Sequence, residues 1–276
     1  MEILYHYCSV LSFLAIAQSK KLWLSDASKM NDSHEGNWAD HIVDRELTRR
    51  RSTMTDQDRE QCRLGHQITK PRAFLFCMSS EADVLSQWRG YADDAMGVAI
   101  GFSRSTFPVQ QHLPSTNAAP SHNTALWPVI YDEDVQNQII EDTFQKGLTS
   151  PDVCIEPDGK PDYYMLGMWL ARFGPLFKNP AFHEEKEFRV VHTPMLLVDE
   201  KNSHHTLGTN YPIGQRVSRN QIVTHFEFPL PENLSGVVRE VWIGPRSRLS
   251  RQDIELTLAI NGFGSVAVHH SSATYR

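Results

Sequence analysis

The chain has 276 residues, of which 40% are hydrophobic and 22% are charged, and its formal net charge is −6. This composition excludes a disordered chain, and no stretch approaches the roughly 18 apolar residues that a membrane span needs. The acidic balance offers no overall positive field for nucleic acid. Residues 1–6 contain neither a basic region nor a secretory cleavage site, so we expect a cytoplasmic protein with no membrane partner.

The first 70 residues predict two short strands and two helices. Residues 4–9 alternate aromatic and polar side chains, which is typical of a strand. Residues 10–19 place apolar side chains at helical spacing, and Ser9 is suited to cap that helix. We predict a second strand over residues 21–25 and one long helix over residues 37–63.

The next part of the chain predicts a buried strand in the centre of the fold. Residues 73–79 form a continuous apolar run, which indicates burial on both faces. We predict a helix over residues 80–92, a strand over 97–102, a long loop over 108–128 and a short strand over 129–131.

The last part predicts two more helices, over residues 134–148 and 163–177, and a polar loop over 200–217. Residues 236–269 read as strand, turn, helix and strand, with Ser250 as the helix cap. Because polar loops interrupt the chain but no long linker divides it, we predict one α+β domain over residues 1–276. Its helical and loop insertions fall at about 36–70 and 132–180.

Familiar chemical signatures are absent from the sequence. It has no P-loop, no GxGxxG after a strand, no GxSxG and no HExxH. The four cysteines lie far apart without a CxxC pair, so we expect free thiols, no structural zinc and no disulfide framework.

Residues 182–191 place charges immediately before and within an apolar run. If they form a strand, alternation puts Glu185, Glu187 and Arg189 on one face. Two carboxylates on one face raise the free energy of ionising each other, so such a pair needs an explanation. Either the pair has a function, or Arg189 simply pairs with Glu187 at a solvated edge.

Other polar and aromatic residues fall near the ends of predicted elements. Each has an ordinary structural explanation, since a strand histidine is often a satisfied core residue and aromatic residues on a helix are often core. The candidates in this set are His6, Tyr7, Ser9, Asn31, Glu35, Ser79, Gln87, Trp88, Arg89 and Tyr91.

Taken in order along the chain, short blocks resemble the bacterial family catalogued as domain of unknown function 2971. The blocks are residues 5–9 (YHYCS), 22–25 (LWLS), 30–32 (MND) with Glu35, 76–79 (FCMS), 85–91 (LSQWRGY), 97–102 (GVAIGF), Lys178, 185–189 (EKEFR), 243–244 (IG) and 271–276. The resemblance covers nearly the whole chain. Ser33 stands where the family commonly has Pro, and Phe188 where it often has Trp.

A weaker similarity is to the ADP-ribosyltransferase superfamily. It rests on a first strand with a histidine, then a helix and a short Leu-rich strand, and on a late strand with Glu-x-Glu. The similarity implies a split, mixed β-sheet that holds NAD in a bent conformation. It implies that His6 binds ribose hydroxyls, that Trp88 or Tyr91 stacks on nicotinamide, and that Glu187 acts on the nicotinamide ribose with Glu185 beside it.

The similarity therefore implies an NAD-consuming transferase or glycohydrolase, with NAD as substrate and no metal. We expect Tyr7, Ser9, Asn31 and Ser79 to line the NAD site, and Arg89 or Arg189 to pair with the pyrophosphate. The acceptor would be a macromolecule, either protein or nucleic acid, or water. Alternatives are a non-catalytic nucleotide- or protein-binding module, or a nuclease-type toxin or defence protein.

Overall fold

The computed structural model describes residues 2–30, 35–68, 70, 72–108, 123–149, 159–198, 204–218 and 220–275. The strands are β1 (Ile3–Cys8), β2 (Lys21–Asp26), β3 (Phe74–Ser79), β4 (Val98–Ser103), β5 (Thr124–Pro128), β6 (Glu187–His192), β7 (Met195–Val198), β8 (His204–Leu207), β9 (Ile213–Ser218), β10 (Gln221–Pro229), β11 (Val238–Ile243) and β12 (Ala267–His270). The helices are α1 (Val10–Ser19), α2 (Glu35–Arg49), α3 (Asp56–Ile68), α4 (Leu85–Tyr91), α5 (Glu133–Thr149), α6 (Tyr163–Ala171) and α7 (Arg251–Ile260).

Ten of these strands form one mixed, open sheet, while β7 and β8 pair separately. Its main path runs β12-β11-β4-β1-β3-β2-β10-β9, and β6 joins β3 to β5. Strands β11 and β12 are parallel with α7 as their crossover, and the other strand pairs are antiparallel. The predicted α+β class with a mixed sheet is confirmed.

Strand β3 is the point where the sheet forks. One edge of β3 pairs with β6 along its whole length, from Phe74 opposite His192 to Ser79 opposite Glu187. The other edge pairs with β1 only at Ser79 and with β2 only at its first two residues. Strands β1 and β2 therefore diverge from the same edge of β3, leaving room between them.

The two faces of the sheet carry different layers. On one face, α1 and α7 cover an apolar core that includes Leu4, Phe76 and Ile254. On the other face, the helices from the two predicted insertions pack around Leu75 and Val191. Helices α3 and α6 in that layer make close backbone contact. A Cβ on Gly65 would lie 2.1 Å from the Tyr164 carbonyl oxygen, and one on Gly167 would lie 2.0 Å from that of Cys62.

Several local predictions are confirmed by hydrogen bonds at the helix ends. The Ser9 side chain accepts from the Ser12 backbone N–H at the start of α1. Ser250 and Asp253 form a reciprocal capping box at the start of α7. Cys8, Cys62 and Cys77 are thiols outside any disulfide, and Cys154 lies outside the described residues.

Other element predictions are wrong, and the reasons are local. The predicted helix over 37–63 is two helices, because Thr55 and Asp58 exchange capping hydrogen bonds and start α3 afresh. The predicted helices over 80–92 and 163–177 are shorter, and residues 129–131 make only an isolated bridge from Ile130 to Phe177. The predicted loops contain strands, namely β5, β8 and β9. In the described part of the chain no helix is long and apolar enough to cross a membrane.

Candidate functional site

A small cavity of about 70 Å³ lies at the fork of the sheet, against β1, β3, β6 and α4. It opens on the face that carries the helical layer, because Tyr5 pairs with Ser79 and paired residues point to the same side of a sheet. The residues that line it are Tyr5, Tyr7, Met30, Cys77, Met78, Gln87, Tyr91, Lys178, Glu185, Glu187 and Arg189.

Four buried charges form the floor of this cavity. Arg189 donates to both oxygens of Glu187, from Nε at 2.8 Å and from Nη2 at 2.9 Å. The Lys178 ammonium joins the two carboxylates, at 2.5 Å from Oε2 of Glu185 and 3.2 Å from Oε2 of Glu187. Two cations thus neutralise two carboxylates whose side chains are at most 10% exposed.

The two carboxyl groups are in different electrostatic environments. Burial alone would raise the pKa of Glu187, but the charge and hydrogen bonds of Arg189, with Lys178 and the Cys77 thiol, lower it to about 2. Burial raises the pKa of Glu185 above its ordinary value, because Lys178 and Tyr91 offset only part of the cost of desolvation. Glu187 is therefore held ionised, whereas Glu185 is the carboxyl that can exchange a proton nearer to neutral pH.

Glu185 lies on the same surface as Glu187 but, contrary to the prediction, it is not part of the same strand. Glu185 ends a 3₁₀ helix, Pro180–Glu185, and Lys186 adopts a left-handed conformation with φ of 43° before β6 begins. The Ser79 hydroxyl donates to the Glu185 carbonyl at 2.7 Å and fixes this turn. The shared surface of Glu185, Glu187 and Arg189 is confirmed, and the pairing of Glu187 with Arg189 is buried, not solvated.

Tyrosine hydroxyls hold the walls of the cavity. Tyr91 donates to Oε1 of Glu185 at 3.2 Å, and the Tyr131 hydroxyl accepts from the Glu187 backbone N–H at 3.1 Å. Tyr5 reaches across β4 to Glu240 on β11 at 2.8 Å. It can do so because Gly101 lies opposite both residues and has no side chain to block the path.

His6 does not line the cavity. Its ring stacks on Phe76, in the core of the opposite face, with the centroids 4.2 Å apart. Its Nδ1 lies 2.8 Å from the carbonyl oxygen of Cys77, a group that can only accept, so this nitrogen carries the proton. The imidazole therefore satisfies a β3 carbonyl where β1 diverges, and burial lowers its pKa to about 4.

Trp88 and Ser9 are also structural. Trp88 is fully buried, stacks edge-on with Tyr7, and donates from Nε1 to Asp83 at 2.7 Å. Ser9 caps α1. Of the other predicted site residues, Tyr7, Gln87 and Tyr91 line the cavity, Ser79 supports it, Arg89 lies outside it on α4, Glu35 begins α2, and Asn31 falls outside the described residues.

Some residues of the site were not predicted. Lys178, which bridges the two carboxylates, lies after α6; the sequence marked it as one block of the family resemblance but gave it no role in the site. Tyr5, Cys77 and Tyr131 were also not named as site residues, although Tyr5 and Cys77 lie in blocks of the family resemblance. No group of three or more His, Cys, Asp or Glu side chains suited to a metal ion occurs among the described residues.

Residues 271–275 fasten the outer side of α4. Asp83 accepts from the Ser271 hydroxyl at 2.5 Å and from the backbone and hydroxyl of Ser272 at 2.8 and 2.9 Å. The Tyr275 hydroxyl donates to Oδ1 of Asp94 at 2.8 Å. These bonds hold the helix that supplies Gln87 and Tyr91 to the cavity.

Comparison with known proteins gives one match. The model of a family described as a protein of unknown function, DUF2971, matches residues 87–190. This stretch is shorter than the resemblance expected from the sequence, but it begins within α4, ends within β6 and contains all four charged residues of the cavity floor. No curated protein and no solved structure matches the chain.

Proposed function

We propose that this chain is an NAD-consuming enzyme of the ADP-ribosyltransferase or NAD glycohydrolase type. The observation that carries the proposal is the pair Glu185 and Glu187, joined by one ammonium, whose environments move their pKa values in opposite directions. Pairs of carboxyls separated in this way are typical of acid–base assignments in enzyme sites. The fork of the sheet at β3 is in keeping with the split sheet of that superfamily.

In the proposed reaction the bond between nicotinamide nitrogen and ribose C1′ breaks, and its electron pair leaves with nicotinamide. Positive charge develops on the ribose, so an ionised Glu187 in direct contact with it stabilises charge that appears only in the transition state. The oxygen of an acceptor or of water then bonds to C1′, and Glu185 takes the proton that this oxygen loses.

Tyr91 is the aromatic residue available for the nicotinamide ring. It is 39% exposed, more than any other residue that lines the cavity, whereas Trp88 is fully buried. Sites for small molecules usually measure about 300–1,000 Å³, so NAD needs the wall of this 70 Å³ cavity to open. The Tyr91 bond to Glu185, at 3.2 Å, is among the longest in the cluster and is the natural place for that opening.

The test is release of nicotinamide when the chain is incubated with NAD. We expect release by the native chain and loss of at least about 100-fold in Glu185→Gln and Glu187→Gln, as for removal of a general base or a charge-stabilising group. Glu81→Gln is the matched control, because Glu81 pairs with Lys186 on the surface and does not line the cavity. Absence of both nicotinamide release and a thermal shift with NAD would contradict the proposal.

A second candidate is a non-catalytic nucleotide-binding module. It is favoured by the fact that every carboxylate oxygen of Glu185 and Glu187 already has a hydrogen-bond partner. This candidate predicts that NAD raises the melting temperature without release of nicotinamide, and that Glu185→Gln leaves the shift unchanged.

A further inference from the structure

Beside the cavity, on the adjacent side of α4, lies a separate groove of about 410 Å³. It is lined by Ser86, Arg89, Gly90 and Asp94. Gln87 and Tyr91 of the same helix line the cavity, so the cavity and the groove share one short helix as their common wall. A molecule longer than the cavity could follow the surface of α4 into this groove.

Gly90 has no side chain, so the surface of α4 is bare between the cavity and the groove. A Cβ at this position would meet no described atom within 4 Å, and Gly90 does not have a positive φ. Neither packing nor backbone conformation therefore requires glycine here, although glycine is unfavourable inside a helix. The absence of a side chain does, however, allow a ligand to lie directly against the helix.

Arg89 supplies the positive charge of the groove. Its guanidinium lies over the Tyr275 ring, 5.6 Å from the centroid, and Arg246 lies 5.4 Å from the same centroid. Among the described residues Arg89 has no carboxylate within ion-pair distance, whereas many other arginines of the chain pair with one. The ring thus orients a guanidinium whose donors remain available.

Asp94 is the acidic residue of the groove, and its carboxylate is already engaged. Oδ1 accepts from the Tyr275 hydroxyl, and Oδ2 pairs with Arg246. Arg246 and Tyr275 thereby engage the Asp94 carboxylate, which would otherwise compete with a ligand for Arg89. A planar guanidinium with free donors suits a phosphate group, to which it can donate two parallel hydrogen bonds.

We propose that this groove binds the diphosphate of a nucleotide, with Arg89 as its main contact and Gly90 as the surface over which the ligand passes. The inference rests on the proposed function, because it assigns a second part of the same dinucleotide to the neighbouring side of α4. The ligand class is then a nucleoside diphosphate or a dinucleotide, whose far end enters the cavity at Tyr91.

The experiment is calorimetric titration of the full chain with ADP, AMP and inorganic pyrophosphate. We expect ADP to bind at least tenfold more tightly than AMP, and Arg89→Gln to weaken ADP at least tenfold. Gly90→Ala should weaken ADP as much without lowering the melting temperature, since the methyl group enters open space. Arg251→Gln on the exposed start of α7 makes the same change of charge and should bind ADP within twofold of the native chain.

The titrations test the groove independently of nicotinamide release from NAD. ADP binding that depends on Arg89, without nicotinamide release from NAD, supports the groove and counts against the enzyme. Native-like ADP binding by both Arg89→Gln and Gly90→Ala overturns the groove, as does failure of ADP and pyrophosphate to bind at all. If pyrophosphate binds as tightly as ADP, the groove binds phosphate compounds without a nucleoside, and the proposal of a nucleotide ligand is overturned.

Discussion

The guanidinium of Arg189 donates to both carboxylate oxygens of Glu187, which lies two residues earlier on the same strand. A third donor of Arg189, Nη1, reaches the carbonyl oxygen of Pro175 at 2.8 Å. Both side chains are buried. If one of them is removed, water cannot take its place, and the other charge stays buried without its partner. The pair therefore connects the candidate chemistry to the stability of the fold.

Removing one partner of this pair should be costly. We expect Arg189→Ala to lower the free energy of unfolding by about 3–5 kcal/mol, because Glu187 keeps a buried charge with fewer partners. Denaturant unfolding measures the effect. Arg251→Ala, at an exposed helix start, should stay within about 0.5 kcal/mol of the native chain. An equal and small effect of both changes would mean that the pair is solvated in solution.

Stability in acid should depend on Glu187. The pKa of this carboxyl is about 2 in the folded chain against an ordinary 4.5, so its contribution is complete above pH 4.5 and is lost as the pH falls towards 2. The difference corresponds to about 3 kcal/mol at 1.36 kcal/mol for each pKa unit. Unfolding by urea at pH 7, 4.5 and 2.5 should show this loss in the native chain. In Glu187→Gln stability should be lower at pH 7 but fall less on acidification.

A second pH dependence comes from His192, the last residue of β6, which pairs with Phe74 on β3. Its side chain is fully buried, with Nδ1 near the Thr124 hydroxyl, and burial lowers its pKa to about 4 from 6.5. The unfolded chain then binds the proton first, so stability is complete above pH 6.5 and falls as the pH drops to 4. We expect His192 to contribute about 2 kcal/mol of the stability lost between pH 8 and pH 5, in addition to the loss from His6, whose pKa is also about 4, and we expect a smaller total loss in His192→Gln.

Tyr91 should set the pH profile of the proposed reaction. Its hydroxyl donates to Glu185 and lowers the pKa of a carboxyl that burial raises. Because Glu185 must be deprotonated to act as the base, and because kcat/KM reports the free chain in which the Tyr91 bond is intact, Tyr91→Phe should move the ascending limb of kcat/KM for nicotinamide release to higher pH. Tyr211→Phe, a tyrosine remote from the cavity lining, is the control and should leave the limb in place. An unchanged limb in Tyr91→Phe would mean that Glu185 is not the base.

Asp83 should hold residues 271–275 on α4. It accepts hydrogen bonds from Ser271, Ser272 and Trp88, and an amide in its place loses acceptors for these donors. We expect Asp83→Asn to cost about 1–3 kcal/mol and to speed amide hydrogen exchange in residues 271–275. Glu232→Gln, in an exposed turn, should change neither. Unaltered exchange in Asp83→Asn would show that other contacts hold this segment.

The sequence by itself determined the elements whose signals are local. The apolar run over residues 73–79 fixed a central strand, and Ser250 with Asp253 fixed the start of α7, because periodicity and capping act within one turn or one strand. Strand alternation also predicted a shared surface for Glu185, Glu187 and Arg189, but its premise holds only for Glu187 and Arg189. It did not reveal that Glu185 arrives there from a 3₁₀ turn.

Only the tertiary structure decided which side chains meet at the site. His6 lies on the far face, Trp88 lies in the core, and Lys178, next to the bridge between Ile130 and Phe177, joins the two carboxylates. Strand pairing between residues 48 to 74 positions apart sets the fork of the sheet at β3, and local propensity carries no information about it. The pKa difference between Glu185 and Glu187 arises in the same way, from burial and partners that only the assembled sheet provides.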